Sequence, residues 1–422
     1  MNFLPDSRKL TGVIAFAFSL STGLAQLLIL TRLNHILDKD SFSRISTILQ
    51  SFPVFFIMIE MGIQGEVIRR VSSTKAYEVL PEVIYLRLFA SILTVATILL
   101  YGVISGFSPL MFFGMTIFSC AYIPASLLLT IEDWGYGKNR LIYIVMYKAG
   151  RLIAVLGFFA SMSLVSSGMT RPYHLDKYEF ILCFFVYPFS LLIFALPGLT
   201  ALRKQSLLKF PGFTAIMRFV KDLKYLIGSS IFRWISSYLF FLLITTKLGE
   251  TNLSSFNIAV MMITPVSLGT QIYINILMSG KFSGTFPLQF RDILGSFLFL
   301  SFAIGTYIAC CSWLSIPTLF FERMDYPLFL DLFIPLAIAQ VFIAISSIIN
   351  LIAVSKNVDS IIISHTLSVL LMILAFWPLS ELDYLSRHLT LAILFASSVA
   401  FLVQMLYVPK LFRPQDRLEK SS

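Results

Sequence analysis

Charge is the scarcest property of this sequence. Only 13% of its 422 residues are Asp, Glu, Lys or Arg and 57% are apolar, against roughly 25% charged and 45 to 50% apolar in a soluble domain. With a mean hydropathy of +0.85, a soluble globular chain is excluded. Cysteine is nearly as rare: Cys120, Cys183, Cys310 and Cys311 all fall inside apolar runs and form neither a CxxC pair nor a Cys/His cluster. Neither a disulfide framework nor a metal site is expected from them. The sequence also lacks GxxxxGK[ST], HExxH and GxSxG, which removes the commonest ATPase, zinc-protease and serine-hydrolase chemistries. No interval between apolar runs is long enough to fold as a soluble domain. We therefore expect a protein that is not an enzyme, holds no cofactor, and works within the membrane.

What the sequence has in abundance is long apolar runs, with 41 Phe and 15 Met among them. A spanning helix needs about twenty mostly apolar residues. Twelve windows qualify: 10–31, 45–64, 88–107, 109–130, 141–167, 178–199, 225–246, 253–278, 293–314, 328–354, 361–379 and 389–408. The first is too long for the h-region of a signal peptide and shows no small-residue cleavage site, so it is expected to stay as a helix. Between the sixth and seventh windows lies the longest interval without such a run, RKQSLLKFPGFTAIMRFVKDLK, residues 203–224, in which six Lys and Arg face the single acid Asp222.

An excess of Lys and Arg marks loops on the cytosolic side of a bilayer. With the N-terminus inside, cytosolic segments hold 21 Lys and Arg and outer loops hold 8, so both termini are expected in the cytosol. The net charge of +10 is then a topological signal and calls for no nucleic-acid partner. The expected fold class is an all-α polytopic membrane protein of about twelve transmembrane helices: an N-terminal six-helix bundle (1–202), a basic cytosolic linker (203–224), and a C-terminal six-helix bundle with a short cytosolic tail (225–422).

The two halves echo one another. Arg32-Leu33 precedes a polar turn and Ser41-Phe42, while Lys247-Leu248 precedes a polar turn and Ser255-Phe256. Prolines repeat the theme, Pro53 matching Pro265 and Pro124 matching Pro335. Helix interruptions at corresponding places in two halves point to the moving parts of a transporter, so these four are candidate hinges. Prolines are also simply commoner in spanning helices.

Three basic residues lie inside predicted helices: Lys148 and Arg151 on one face of the fifth, with Arg140 earlier on the same stripe, and Arg233 in the seventh. Arg151 lies about 16 Å beyond Arg140 and Arg233 about 14 Å beyond Lys224, at the rise of a helix. Both depths are near the middle of a hydrocarbon layer about 30 Å thick. A charge there costs at least about 2.5 to 3.5 kcal/mol, so it faces a partner charge, a polar interior or a substrate. Two readings stand side by side. Internal pairing would use Glu60 or Glu66, with Arg87 a further candidate for pairing and His365 for carrying a coupling proton. Alternatively, the deep cations outnumber the deep acids, counted as Glu60 alone, and form an anion-accepting cavity. Gln26, Gln50, Asn257, Gln271, Gln340 and Asn350, at helical depth, can join helices or bind hydroxyls.

The run from Leu27 through Arg32-Leu33, the turn Leu37-Asp38-Lys39-Asp40-Ser41-Phe42-Ser43, and Ile59-Glu60-Met61-Gly62-Ile63-Gln64 ending in Arg69-Arg70 resemble the opening of polysaccharide exporters. Lys247-Leu248-Gly249 through Phe256-Asn257-Ile258-Ala259 resembles the matching junction of the second half. Ser43 stands where that pattern usually has Gly, and Ile63 where it usually has Leu. Over its whole length the chain is similar to the O-antigen and polysaccharide flippases of the multidrug/oligosaccharidyl-lipid/polysaccharide exporter superfamily. The resemblance implies a V-shaped exporter whose two bundles are related by a pseudo-two-fold axis around a central cavity. It would sit in a bacterial inner membrane and pass an undecaprenyl-diphosphate-linked oligosaccharide from the cytosolic to the periplasmic leaflet. A coupling ion, H+ or Na+, and partnership with a polysaccharide polymerase and a chain-length regulator go with that reading. Lys148, Arg151, Arg233 and Arg140 are then the candidates to meet the diphosphate. The competing functions are a cation-coupled multidrug exporter of the same superfamily, which would want an acidic cavity, and a polysaccharide polymerase or ligase, which would want a long outer loop.

Overall fold

The computed structural model describes residues 7–72, 76–104, 109–138, 140–165, 177–204, 207–228, 230–231, 234–235, 255–264, 266–267, 269–270, 273–274, 290–313, 326–355 and 385–411. Among these residues there are helices and turns but no strand. In chain order the helices are α1 (Ser7–Ile36), α2 (Lys39–Glu60), α3 (Gln64–Ser72), α4 (Ala76–Ile104), α5 (Pro109–Ser119), α6 (Tyr122–Lys138), α7 (Leu141–Val165), α8 (Lys177–Lys204) and α9 (Phe213–Asp222). Beyond the linker come α10 (Ser255–Thr264), α11 (Phe290–Trp313), α12 (Tyr326–Ser355) and α13 (Leu385–Leu411). Six stretches within the described residues are long and apolar enough to cross a membrane: Val79–Val103, Pro109–Lys138, Leu141–Leu164, Ile181–Lys204, Ile293–Trp313 and Pro327–Asn350. The fold class read from composition, an all-α polytopic membrane protein, is the one found. The windows 225–246 and 361–379 fall wholly or mostly outside the described residues.

Helix boundaries follow local chemistry. Asp38 caps α2, its Oδ1 accepting the amide of Ser41 at 3.0 Å, as short acidic side chains do for the otherwise unbonded first amides. At the other end Met61 (φ 49°) and Gly62 (φ 64°) adopt left-handed backbone, which stops a right-handed helix. Because of that turn α2 ends at Glu60, four residues short of the window that ran to Gln64, and the chain restarts as α3. The span Pro109–Lys138 carries a tighter turn at Cys120-Ala121, where the amides bond three residues back, to Ile117 and Phe118. Pro124, which has no amide to return to residue 120, lies at the start of the α6 segment that follows. Around Pro53 and Pro335 the helices α2 and α12 are continuous, and Pro265 lies outside the described residues.

Lipid tails are as apolar as Leu, so helices in a membrane associate through close contact rather than by escaping water. Small residues permit that approach between α7 and α8. A Cβ on Gly150 would lie 3.0 Å from Phe194, and one on Gly157 would lie 3.2 Å from Val186. The N-terminal half has an aromatic centre in which Phe52 stacks on Tyr122 at 4.8 Å and Phe158 meets Phe184 at 5.1 Å. The C-terminal half has two smaller clusters, one around Phe329, Phe333 and Tyr307 and one around Ile345, Ile349 and Phe401.

Contacts join the halves. Asn257 on α10 donates to Ser46 Oγ on α2 at 2.8 Å, both side chains buried, and Met261 packs into the N-terminal core. The repeated Ser-Phe signature maps to matching places, since Ser41-Phe42 lies in the first turn of α2 and Ser255-Phe256 opens α10, all four residues buried.

Gly62 has a left-handed φ, and a Cβ there would collide with Ser230 Oγ across the junction of the halves. Gly62→Val is expected to lose about 1 to 2 kcal/mol from the backbone alone, seen as a lower thermal midpoint of the purified protein. Gly305→Ala, whose Cβ meets nothing within 4 Å, is expected to hold or raise it. Equal midpoints for both variants would contradict the reading of the α2–α3 turn.

A cavity between the halves

Between the halves lies a cavity of about 340 Å³. The N-terminal half contributes Gln26, Ile29 and Leu30 from α1, Leu49, Phe52, Phe56 and Glu60 from α2, Phe118 from α5, Arg151, Val155 and Phe158 from α7, and Tyr187 from α8. The C-terminal half closes it with Val260, Met261, Ile263 and Thr264 of α10, then Ser267, and Gln340 of α12. Among the described residues the lining is therefore aromatic and aliphatic, with one guanidinium, one carboxylate and a few hydrogen-bonding groups. That mixture is typical of a site for an organic ligand.

Arg151 reaches the cavity because of where it sits on α7. Ten residues of helix past Leu141 carry it about 15 Å along the span, and its guanidinium lies 5.7 Å from the centre of the Tyr147 ring. Its Nη1 is 3.5 Å from the Tyr147 hydroxyl, and its buried Nε has no hydrogen-bond partner. No carboxylate comes within ion-pair distance of Arg151 among the described residues. Glu60, one helix away in the same lining, forms no ion pair among them either. The cavity thus holds two opposite charges that are not spent on each other.

Lys148, one turn before Arg151, has a different fate. Its Nζ is 2.8 Å from Glu132 Oε1 on α6, with both side chains almost wholly enclosed. Next to it on α6, Asp133 Oδ2 takes Nη2 of Arg87 at 2.7 Å, and Nη1 of Arg87 donates to Thr130 at 3.1 Å, with no solvent exposure on either charged partner. These two pairs correct the expected surplus of deep cations. The fourth window ended at Thr130, which assigned Glu132 and Asp133 to a loop, whereas α6 continues as helix to Lys138. The signal was available in the sequence: two adjacent acids directly after an unbroken apolar run, with bases on the next predicted helix.

The remaining site candidates separate cleanly. Glu66 pairs with Arg70 on its own helix at 2.7 Å. Arg140 is exposed in the turn between α6 and α7 and does not line the cavity. Arg233 and His365 lie outside the described residues. Of the polar residues singled out by depth, Gln26 and Gln340 line the cavity, while Asn257 bonds Ser46 and Asn350 accepts from Gln404 at 2.6 Å, joining helices.

No protein-family model matches the sequence, and no curated protein matches it. Solved structures do match in fold. The chain is similar to the eukaryotic MATE transporter AtDTX14, with 13% identity and a TM-score of 0.61 over 96% of this chain and 95% of that one. A MOP-superfamily transporter from Pyrococcus furiosus matches with 11% identity and a TM-score of 0.59, over 97% and 98%. The lipid II flippase MurJ, in an inward closed conformation, matches with 14% identity and a TM-score of 0.62, over 95% and 87%. At such identities the likeness establishes the fold, that of an integral membrane protein.

Removing one partner of a buried pair strands the other charge and costs about 3 to 5 kcal/mol. Arg87→Met is therefore expected to lower the thermal midpoint and cellular abundance sharply, and Arg87→Met with Asp133→Leu to recover most of the loss. No recovery in the double variant would show that the pair is not what the guanidinium supplies.

Proposed function

We propose that this protein is a transporter of the flippase kind, not an enzyme, which carries an amphiphile with an anionic head through the cavity between its halves. Arg151 carries this reading: a guanidinium at mid-span, lining the cavity, with no carboxylate against it among the described residues. A buried cation with no carboxylate in ion-pair contact is held at a cost of several kcal/mol in lipid, and an anionic group of the cargo offsets that cost. The fold shared with MATE transporters and with a lipid II flippase supports transport as the class of activity.

The cargo we favour is an undecaprenyl-diphosphate-linked oligosaccharide, moved from the cytosolic to the outer leaflet of a bacterial inner membrane. Its diphosphate suits the fork of a guanidinium, its hydroxyls suit Gln26, Gln340, Thr264 and Ser267, and its first sugar suits the aromatic wall of Phe52, Phe56 and Tyr187. About 340 Å³ accepts a charged head and a sugar but not the whole molecule, so the halves must part during the cycle. Coupling to H+ or Na+ belongs to the same proposal, with Glu60 as the group that exchanges the ion. Glu60 also favours a second reading, a cation-coupled exporter of cationic amphiphiles, since it presents a carboxylate to the same space.

In cells, loss of the protein is expected to leave the lipid-linked unit in the inner leaflet and to deplete surface polysaccharide. Arg151→Ala removes charge-assisted hydrogen bonds worth about 1.5 to 3 kcal/mol, and is expected to cut export about ten- to hundredfold at near-normal abundance. If Arg151→Ala exports normally while Glu60→Gln abolishes resistance to cationic compounds, the second reading replaces the first.

A further inference from the structure

The segment between the halves has a face that neither half covers. At the end of α8 the chain turns at once: Leu207 is buried and its amide bonds Leu202 at 3.0 Å. Tyr85 on α4 donates its hydroxyl to the carbonyl of Leu208 at 2.9 Å, and its ring meets Phe210 edge-on at 5.0 Å. Tyr85 lies six residues inside the α4 span that begins at Val79, or about 9 Å along the axis. Side chains on a helix lean toward its N-terminus, so the Tyr85 hydroxyl meets Leu208 nearer the start of that span, and Leu208 follows the last residue of the α8 span, Lys204, by four residues. The turn that leads into α9 is therefore close to the ends of both spans, at the boundary of the hydrocarbon layer.

From that position α9 runs across the protein rather than away from it. Phe219 is buried beneath Arg70, whose guanidinium lies 5.4 Å from the ring, and Asp222 approaches Arg70 at 3.8 Å. With successive residues about 100° apart, the helix shows three strips. One, through Ala215, Phe219 and Leu223, is docked on the N-terminal half. Beside it runs an apolar strip, Phe213 and Met217, which stays 70% and 49% exposed. The third strip carries Arg218 and Lys221, both exposed.

A helix with an open apolar strip flanked by basic side chains, held at the boundary of a bilayer, is built to lie in the headgroup layer. We infer that α9 is a binding surface for anionic phospholipid headgroups of the surrounding membrane, with Phe213 and Met217 reaching into the acyl region and Arg218 and Lys221 meeting phosphate. Charge selects the partner: 203–224 holds six Lys and Arg against one acid, and such clusters attract anionic lipid. Since α9 is tied to α3 and α4, bound lipid holds the N-terminal half in register with that leaflet. The inference stands on this geometry alone, whatever the cargo.

The test uses the full-length protein released from nanodiscs of phosphatidylcholine mixed with phosphatidylglycerol, with retained lipid weighed by native mass spectrometry. The wild type is expected to retain phosphatidylglycerol preferentially, and Arg218→Gln with Lys221→Gln to lose about fivefold of that preference for each charge removed. Phe213→Ser with Met217→Ser is expected to weaken retention of both lipids. Arg291→Gln, which removes an exposed base at the start of another span, is the single-charge comparison and is expected to cost clearly less preference than either charge on α9. An unchanged thermal midpoint in detergent certifies that each variant is folded. Equal preference in wild type and the charge variant, or equal loss in Arg291→Gln, would overturn the proposal.

Discussion

Two adjacent carboxylates tie three helices of the N-terminal half together. Glu132 and Asp133 stand side by side on α6 and reach in different directions, one to Lys148 on α7 at 2.8 Å and the other to Arg87 on α4 at 2.7 Å. Each pair sits where water cannot screen it, so neither member tolerates loss of the other. The consequence is mechanical as well as electrostatic: α4, α6 and α7 are pinned to one another at fixed depth. Arg151, one turn past Lys148 on α7, is then presented to the cavity by a helix that cannot easily turn away.

That division of labour separates structural cations from available ones. Lys148 and Arg87 are spent on α6, Arg70 on Glu66 and Asp222, and Arg151 is left facing the space between the halves. Glu60 faces the same space from α2. In the function proposed above, this cavity binds a charged head at Arg151 and exchanges a small ion at Glu60. Aromatic side chains around them supply the low dielectric in which both charges act strongly.

Much of this was legible from the sequence. Apolar runs located every described span, because hydropathy measures the requirement that the bilayer imposes, but the third window began at Leu88, nine residues after the span starts at Val79, and the fourth stopped eight residues before Lys138. Mid-helix position alone identified Lys148 and Arg151 as residues needing an explanation. It could not distinguish them, since three residues of helix separate a side chain facing α6 from one facing the cavity. Glu132 and Asp133 were missed because a window scored on hydropathy stops at the first acid, while the helix does not: intrahelical hydrogen bonds carry α6 on to Lys138. The basic interval 203–224 read as a linker, and its composition held no sign that Phe219 and Asp222 would dock on Arg70, a contact made across a long stretch of chain.

The central claim is that Arg151 is free to take an anion and Lys148 is not. It is tested most directly by the affinity of the purified full-length protein for undecaprenyl diphosphate, comparing Arg151→Gln with the charge-neutral double variant Lys148→Gln and Glu132→Gln. The account predicts a large loss of affinity for Arg151→Gln and a clearly smaller one for the double variant, which loosens α7 but keeps the Arg151 charge. Equal affinities in both, or a loss confined to the double variant, would contradict it.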